Sequence, residues 1–154
     1  MAAFTTPAVS SPGEGGIVQA FGSLRMRITT EQTGGAMCVF EMSVPPGEGP
    51  PLHIHSREEE FFRVLSGRFG FRCEGREVLL EAGGMIALPR GVPHTFRNVG
   101  DEPGSVMCVV TPGHFEHFFR DIERERPAGP EALAALAARY GLTFVPPDAE
   151  QGAA

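Results

Sequence analysis

The sequence contains no lysine; all 13 of its basic residues are arginine. Schiff-base chemistry through a side-chain amine is therefore excluded. Cysteine is scarce as well. Cys38, Cys73 and Cys108 stand far apart in apolar stretches, with no CxxC pair among them. An odd, unclustered set argues against a structural zinc site, fits a reducing, cytoplasmic compartment, and leaves the thiols as small buried hydrophobes. No stretch approaches the roughly 18 consecutive apolar residues of a membrane span. Met1 to Gly16 lack the basic start and apolar core of a secretion signal. Positive charge is in deficit, with a formal net charge of -6. Nucleic-acid affinity is mostly cationic contact with phosphate, so a broad phosphate-binding surface is disfavoured, although one or two arginines would serve a small anionic ligand. Neither nucleic acid nor membrane is expected as a partner.

Glycine and proline, by contrast, are abundant: 20 Gly and 14 Pro make up more than a fifth of the 154 residues. With 12 Phe as core material, this reads as one turn-rich, all-β domain rather than a disordered chain. Short β-branched and aromatic runs alternate with Gly/Pro turns, and predict strands over Leu24–Thr30, Ala36–Val44, Glu60–Leu65, Arg68–Cys73, Arg76–Leu80, Met85–Leu88, His94–Asn98 and Ser105–Thr111. Strands at this spacing argue for a sandwich or barrel. After Pro112 the texture changes. Phe115, Phe118, Phe119 and Ile122 fall at helical spacing, and a second helix opens at Pro130, carries Leu133, Leu136 and Tyr140 on one face, and stops at Gly141. The expected organisation is a flexible tail over 1–16, the β-domain over 17–112, C-terminal helices packing on it over 113–145, and a second flexible tail over 146–154.

The chemistry concentrates in two stretches. In the first, His53 and His55 are two apart. On a strand they face the same side and aim at one point, so two imidazoles can share a metal. In the second, the turn Leu-Pro89-Arg-Gly91-Val-Pro delivers His94 to the start of another strand.

At these residues the chain resembles the cupin superfamily. Gly47, His53, His55, Glu60 and Gly67 match its first motif, G(X)5HXH(X)3,4E(X)6G. Gly83, Pro89, Gly91, His94 and Asn98 match every fixed position of its second, G(X)5PXG(X)2H(X)3N. The resemblance runs from about Ile17 to Thr111. It implies a jelly-roll β-barrel, here with a short C-terminal helical extension, and a homodimer, for which edge strands near Ile17–Thr30 are candidates. It also implies one divalent transition metal held by His53, His55, Glu60 and His94. Imidazole and carboxylate ligands suit Fe, Mn, Ni, Co, Cu or Zn alike. Three glutamates are consecutive. Glu60 shares strand parity with Phe62 and Val64, Glu59 with Arg63, and the gap to Gly67 also selects Glu60. Its odd offset from His55 requires a corner at Ser56–Glu58. Glu58 and Glu59 are then expected as a solvated acidic edge. His114 and His117, three apart on the first helix, are expected as surface histidines, with a second metal site or a pocket lid as alternatives.

Strand parity also proposes a pocket wall. Phe62 and Val64 share the face of Glu60, Phe96 that of His94, and Phe69 and Phe71 lie opposite Arg68 and Arg72. Phe40, Met42 and Met107 are further candidates. An aromatic and methionine wall over a metal suits a flat, apolar small-molecule substrate. The run PPGEGPPLHIHSREEEFFRVLSG and the segment continuing past the barrel resemble small single-domain quercetin 2,3-dioxygenase-like cupins. That resemblance implies a flavonol or similar enolic aromatic substrate, dioxygen as co-substrate, and Glu60 as catalytic base. Two other classes use the same ligands: a non-redox isomerase, cyclase or lyase of a polyketide- or sugar-like metabolite, and a non-catalytic small-ligand-binding cupin.

Overall fold

The computed structural model describes residues 3–146. The eight residues from 147 onward, which make up nearly all of the expected C-terminal tail, lie outside the described part. The strands are β1 (Gly16–Gln19), β2 (Ser23–Ile28), β3 (Cys38–Val44), β4 (His53–His55), β5 (Glu59–Ser66), β6 (Arg68–Cys73), β7 (Arg76–Glu81), β8 (Met85–Leu88), β9 (His94–Asn98), β10 (Gly104–Thr111) and β11 (Leu142–Phe144). Two helices, α1 (Glu116–Glu125) and α2 (Gly129–Arg139), separate β10 from β11. The strands form two antiparallel sheets, ordered β1-β2-β3-β10-β5-β8 and β11-β4-β9-β6-β7. This is the expected all-β jelly roll with a helical extension.

Side-chain alternation decides which face of each strand looks inward. In β10, Val106, Cys108 and Val110 are buried while Ser105, Met107 and Val109 are only partly so. In β5, Glu60, Phe62 and Val64 are buried while Arg63 is exposed. The two inner faces meet over Phe40, Phe69, Phe71, Leu88 and Val106, each worth about 1.5–3 kcal/mol of transfer free energy for a side chain of this size. Asn98 is a rivet in this core. It is fully buried, its amide nitrogen donates to Val44 O (2.8 Å) and Glu102 O (2.9 Å), and its carbonyl accepts from Gly100 N (2.9 Å).

The strands expected at 68–73, 85–88 and 94–98 coincide with β6, β8 and β9. The β2 ladder ends at Ile28, short of the expected Thr30, because a turn over residues 30–35 begins there. The short strands β1 and β11 are additions. β11 pairs with β4, setting Leu142 opposite His55 and Phe144 opposite His53. The C-terminal extension is thus hydrogen-bonded into the strand that carries two of the candidate ligands. Residues 3–15 form no helix or strand, yet Arg27 reaches Ser10 Oγ (2.9 Å) and Ser11 O (3.0 Å), and Arg25 reaches Gly13 O (2.9 Å).

Candidate metal centre

His53, His55 and His94 come from one sheet and Glu60 from the other. His53 and His55 bracket the three-residue β4, and His94 opens β9 directly opposite His53. The turn that delivers His94 depends on Gly91, whose φ of +77° suits a residue without Cβ. Its N–H donates to His55 O at 2.7 Å, tying the two motifs together. The chain leaves β4, turns a corner over residues 56–58 and enters the opposite sheet as β5, which brings Glu60 inward. All four side chains are buried, and one ligand atom from each lies within 4.8 Å of the others. Glu60 is therefore the glutamate whose carboxylate converges with all three histidines. Glu59 turns outward into a two-bond pair with Arg90 at 2.8 and 2.9 Å.

The donor set fits a divalent cation. His53 Nδ1 lies 2.7 Å from Pro51 O, and His94 Nδ1 lies 2.9 Å from Val92 O. A carbonyl only accepts, so both Nδ1 atoms carry the proton and both Nε2 atoms present a lone pair when the ring is neutral. His94 Nε2 then faces Glu60 Oε2 at 2.9 Å, and His55 Nε2 faces it at 3.6 Å. Two acceptors at that separation repel unless a cation sits between them. These spacings match neighbouring ligands around one ion with bonds of about 2.0–2.2 Å. Burial pushes the Glu60 carboxyl up, but His55, the His94 contact and His53 outweigh it and hold the group down at about 2. Burial lowers His53 to about 4. An ionised carboxylate and a neutral imidazole are the states that bind a metal. Cys108 closes the far side. Its Sγ donates to Glu60 Oε1 at 3.8 Å, and burial followed by the Glu60 charge raises its thiol well above the usual range.

Glu58 departs from the expected solvated edge. It is 4% exposed, and its Oε2 lies 3.5 Å from His55 Nδ1. The corner after β4 resets strand parity and turns this glutamate inward.

The centre opens onto a cavity of about 680 Å³, within the range of small-molecule sites. Of the wall residues expected from sequence, Phe40, Met42, Phe62 and Phe96 line it. Four others do not. Phe69 and Phe71 form a layer packed against Phe96, with ring centroids at 6.1 and 5.7 Å. Val64 is buried in the core without lining the cavity, and Met107 lies on the outer face of β10, paired with Glu41 and Arg63. Strand parity sorts inward from outward but does not say how far along the barrel a residue sits.

The rest of the wall comes from elements that the parity argument did not reach. Phe115, Phe118 and Phe119 close one side, Leu142 and Phe144 of β11 another. The helical phenylalanine stripe is thus both core and cavity wall. The Phe115 ring also packs edge-on against the candidate ligand His55 at 4.4 Å. Phe21, at the tip of the β1–β2 hairpin, is 62% exposed at the mouth with its ring 6.2 Å from Phe118.

His114 is exposed and His117 half-buried on the outer surface, their rings 6.5 Å apart. Glu31, Glu116 and His117 form a second cluster of potential ligands. There Glu116 already accepts from Thr30 N (2.6 Å) and pairs with Arg120 (3.0 Å), so the guanidinium takes the place a cation would have.

A double-sheet jelly roll with three histidines and one glutamate converging on its interior is the architecture of a cupin. The profile of the cupin-domain family matches residues 40–110. The chain is 30% identical to the polyketide synthase CurC of Streptomyces cyaneus over 70% of each protein. It is 27% identical to quercetin 2,3-dioxygenase of Bacillus subtilis over 75% of this chain and 34% of that protein. Among solved structures, an RmlC-like cupin from Shewanella frigidimarina superposes with a TM-score of 0.61 at 18% identity, covering 73% of this chain and 96% of that one. The chain belongs to the cupin superfamily.

Proposed function

We propose that this chain is a metal-dependent cupin enzyme acting on a flat, enolisable aromatic substrate, with quercetin 2,3-dioxygenase-like oxidation by dioxygen as the leading reading. One observation carries it: the buried His53/His55/Glu60 face lines a cavity of about 680 Å³ walled by Phe40, Phe62, Phe96, Phe115, Phe118 and Phe119. A polycyclic aromatic fits such a wall by stacking and by displacing water. The likeness to a quercetin dioxygenase supports dioxygen as co-substrate.

His53, His55 and His94 would hold the metal through Nε2, and Glu60 through its carboxylate. A bound divalent ion there supplies a Lewis acid that lowers the pKa of a substrate hydroxyl, and open positions for a small co-substrate. The chain's own residues do the rest. Glu60, ionised and held between His94 and Cys108, accepts the hydroxyl proton at a carboxylate oxygen. The phenylalanine walls orient the ring and exclude water, which strengthens every charge interaction inside. Neutral His53 stays a donor to the metal instead of becoming a competing cation.

The second reading is non-redox catalysis on a polyketide-like intermediate, with a non-catalytic ligand-binding role as the third. The likeness to a polyketide synthase protein over 70% of each chain supports the second. We place the protein in a reducing, cytoplasmic compartment, supported by its three unpaired thiols. As a homodimer it would join through the exposed β1 edge around Ile17.

Metal-reconstituted protein is to be assayed with a panel of flavonols and hydroxylated polycyclic ketones, with and without oxygen. Oxygen uptake stoichiometric with ring opening supports the dioxygenase. Anaerobic turnover selects the non-redox reading. Tight binding without turnover refutes catalysis.

A further inference from the structure

The three imidazoles are not held alike. His53 and His94 each direct Nδ1 to the carbonyl two residues earlier, Pro51 O and Val92 O. His55 has no such carbonyl. Its Nδ1 is buried without a hydrogen-bond partner, and so is Glu58 Oε2. These two orphaned atoms face each other at 3.5 Å. A buried polar group without a partner costs about 1–3 kcal/mol, so two such groups placed together call for a single explanation.

We propose that Glu58 is the positioning residue of the metal centre: its carboxylate accepts the Nδ1 proton of His55, fixes the tautomer and aims Nε2 at the metal. The inference rests on the metal centre proposed above and adds a residue to it. Metal-bound histidines commonly donate their other N–H to a carboxylate or carbonyl, and that partner fixes ring orientation and raises ligand basicity. Here two histidines use carbonyls and the third uses Glu58. The separation of 3.5 Å is a little longer than a hydrogen bond of about 2.7–3.2 Å, and neither atom has another partner.

The fold holds Glu58 in place from outside the barrel. The corner at residues 56–58 is gripped by the C-terminal extension: Ser56 N donates to Gly141 O (2.9 Å), and Arg57 Nη1 donates to Arg139 O (3.2 Å). Gly141 has φ +73°, and a Cβ there would lie 2.5 Å from Ser56 Oγ. The helices therefore set the corner, the corner sets Glu58, and Glu58 sets His55. Glu58 and Glu60 together place two carboxylates beside three imidazoles, a charge that suits a divalent cation.

The test uses the full chain with Co²⁺ as the probe metal, in wild type, Glu58→Ala and Glu58→Gln. Glu58→Ala is expected to weaken Co²⁺ binding about 10–100-fold in chelator competition. Glu58→Gln keeps an acceptor oxygen and is expected to recover most of that loss. In metal-free protein, imidazole ¹⁵N shifts are expected to show His55 protonated on Nδ1 in wild type and Glu58→Gln, and not in Glu58→Ala. Wild-type affinity in Glu58→Ala overturns the proposal, as does an Nε2-protonated His55 in the wild type. If wild type binds no Co²⁺, the metal centre itself fails, while the His55 tautomer still decides the Glu58 contact. If Glu58→Ala does not fold, the wild-type tautomer and Glu58→Gln carry the decision.

Discussion

His94→Ala separates the proposed metal centre from the barrel around it. His94 is buried, bonded at Nδ1 to Val92 O, and 2.9 Å from Glu60 Oε2 through Nε2. In metal-free protein the substitution removes a buried ring and strips Val92 O of its Nδ1–H donor. That costs about 1–3 kcal/mol. For a chain of this length each kcal/mol moves Tm by about 2–4 °C, so the metal-free Tm should fall by about 2–12 °C. The protein should still fold, because the Phe40, Phe69 and Phe71 core is untouched. The metal response is the sharper signal. A ligand bound only by the folded state at a hundred times its Kd adds about 2.7 kcal/mol. Wild type should thus gain about 5–11 °C on adding saturating Co²⁺, and His94→Ala close to nothing. Thermal melts with and without Co²⁺, beside elemental analysis of the purified proteins, give both numbers. Full metal stoichiometry and an undiminished Co²⁺ response in His94→Ala would refute the four-ligand centre.

Two further predictions concern the helical roof. Phe118 is fully buried and its ring meets Phe21, Phe115, Phe119 and Tyr140. Phe118→Ala should cost about 3–5 kcal/mol and weaken binding of an aromatic ligand; denaturant titration showing under about 1 kcal/mol would mean that α1 does not close the cavity. Asp121 accepts from the Tyr140 hydroxyl and, at 2.6 Å, from Arg139, which joins α1 to α2. The Tyr140 bond, ahead of the Arg139 and Arg124 charges, holds its carboxyl below the ordinary 3.8. A carboxyl depressed on folding contributes stability above its unfolded pKa and loses it as pH falls through the folded value. Stability should therefore decline below about pH 4, and Asp121→Asn should flatten that decline in a series of melts across pH; an unchanged acid slope would count against the bridge.

Much of the candidate centre is legible in the sequence. The i, i+2 spacing of His53 and His55, the Pro/Gly turn before His94 and the parity of Glu60 with Phe62 are local facts, and local facts survive folding. Glu58 was not legible. It sits at a corner, where alternation has no meaning, and it reads as one more charge in an acidic run. The strand β11 was equally hidden. Leu142-Thr-Phe144 is too short to signal a strand alone, and it becomes one only because β4 offers it an edge.

The amino-acid sequence by itself determined the class of fold and the turns that present His53, His55 and His94, because strand period and turn chemistry act over a few residues; its resemblance to the cupins added Glu60 as the fourth candidate ligand. The tertiary structure alone decided the cavity. Only there do Phe115, Phe118 and Phe144 join Phe62 and Phe96 around one cavity, Phe69 and Phe71 fall outside its lining, and Glu58 meet His55. Those neighbours are set by the packing of distant segments, and packing has no period to read.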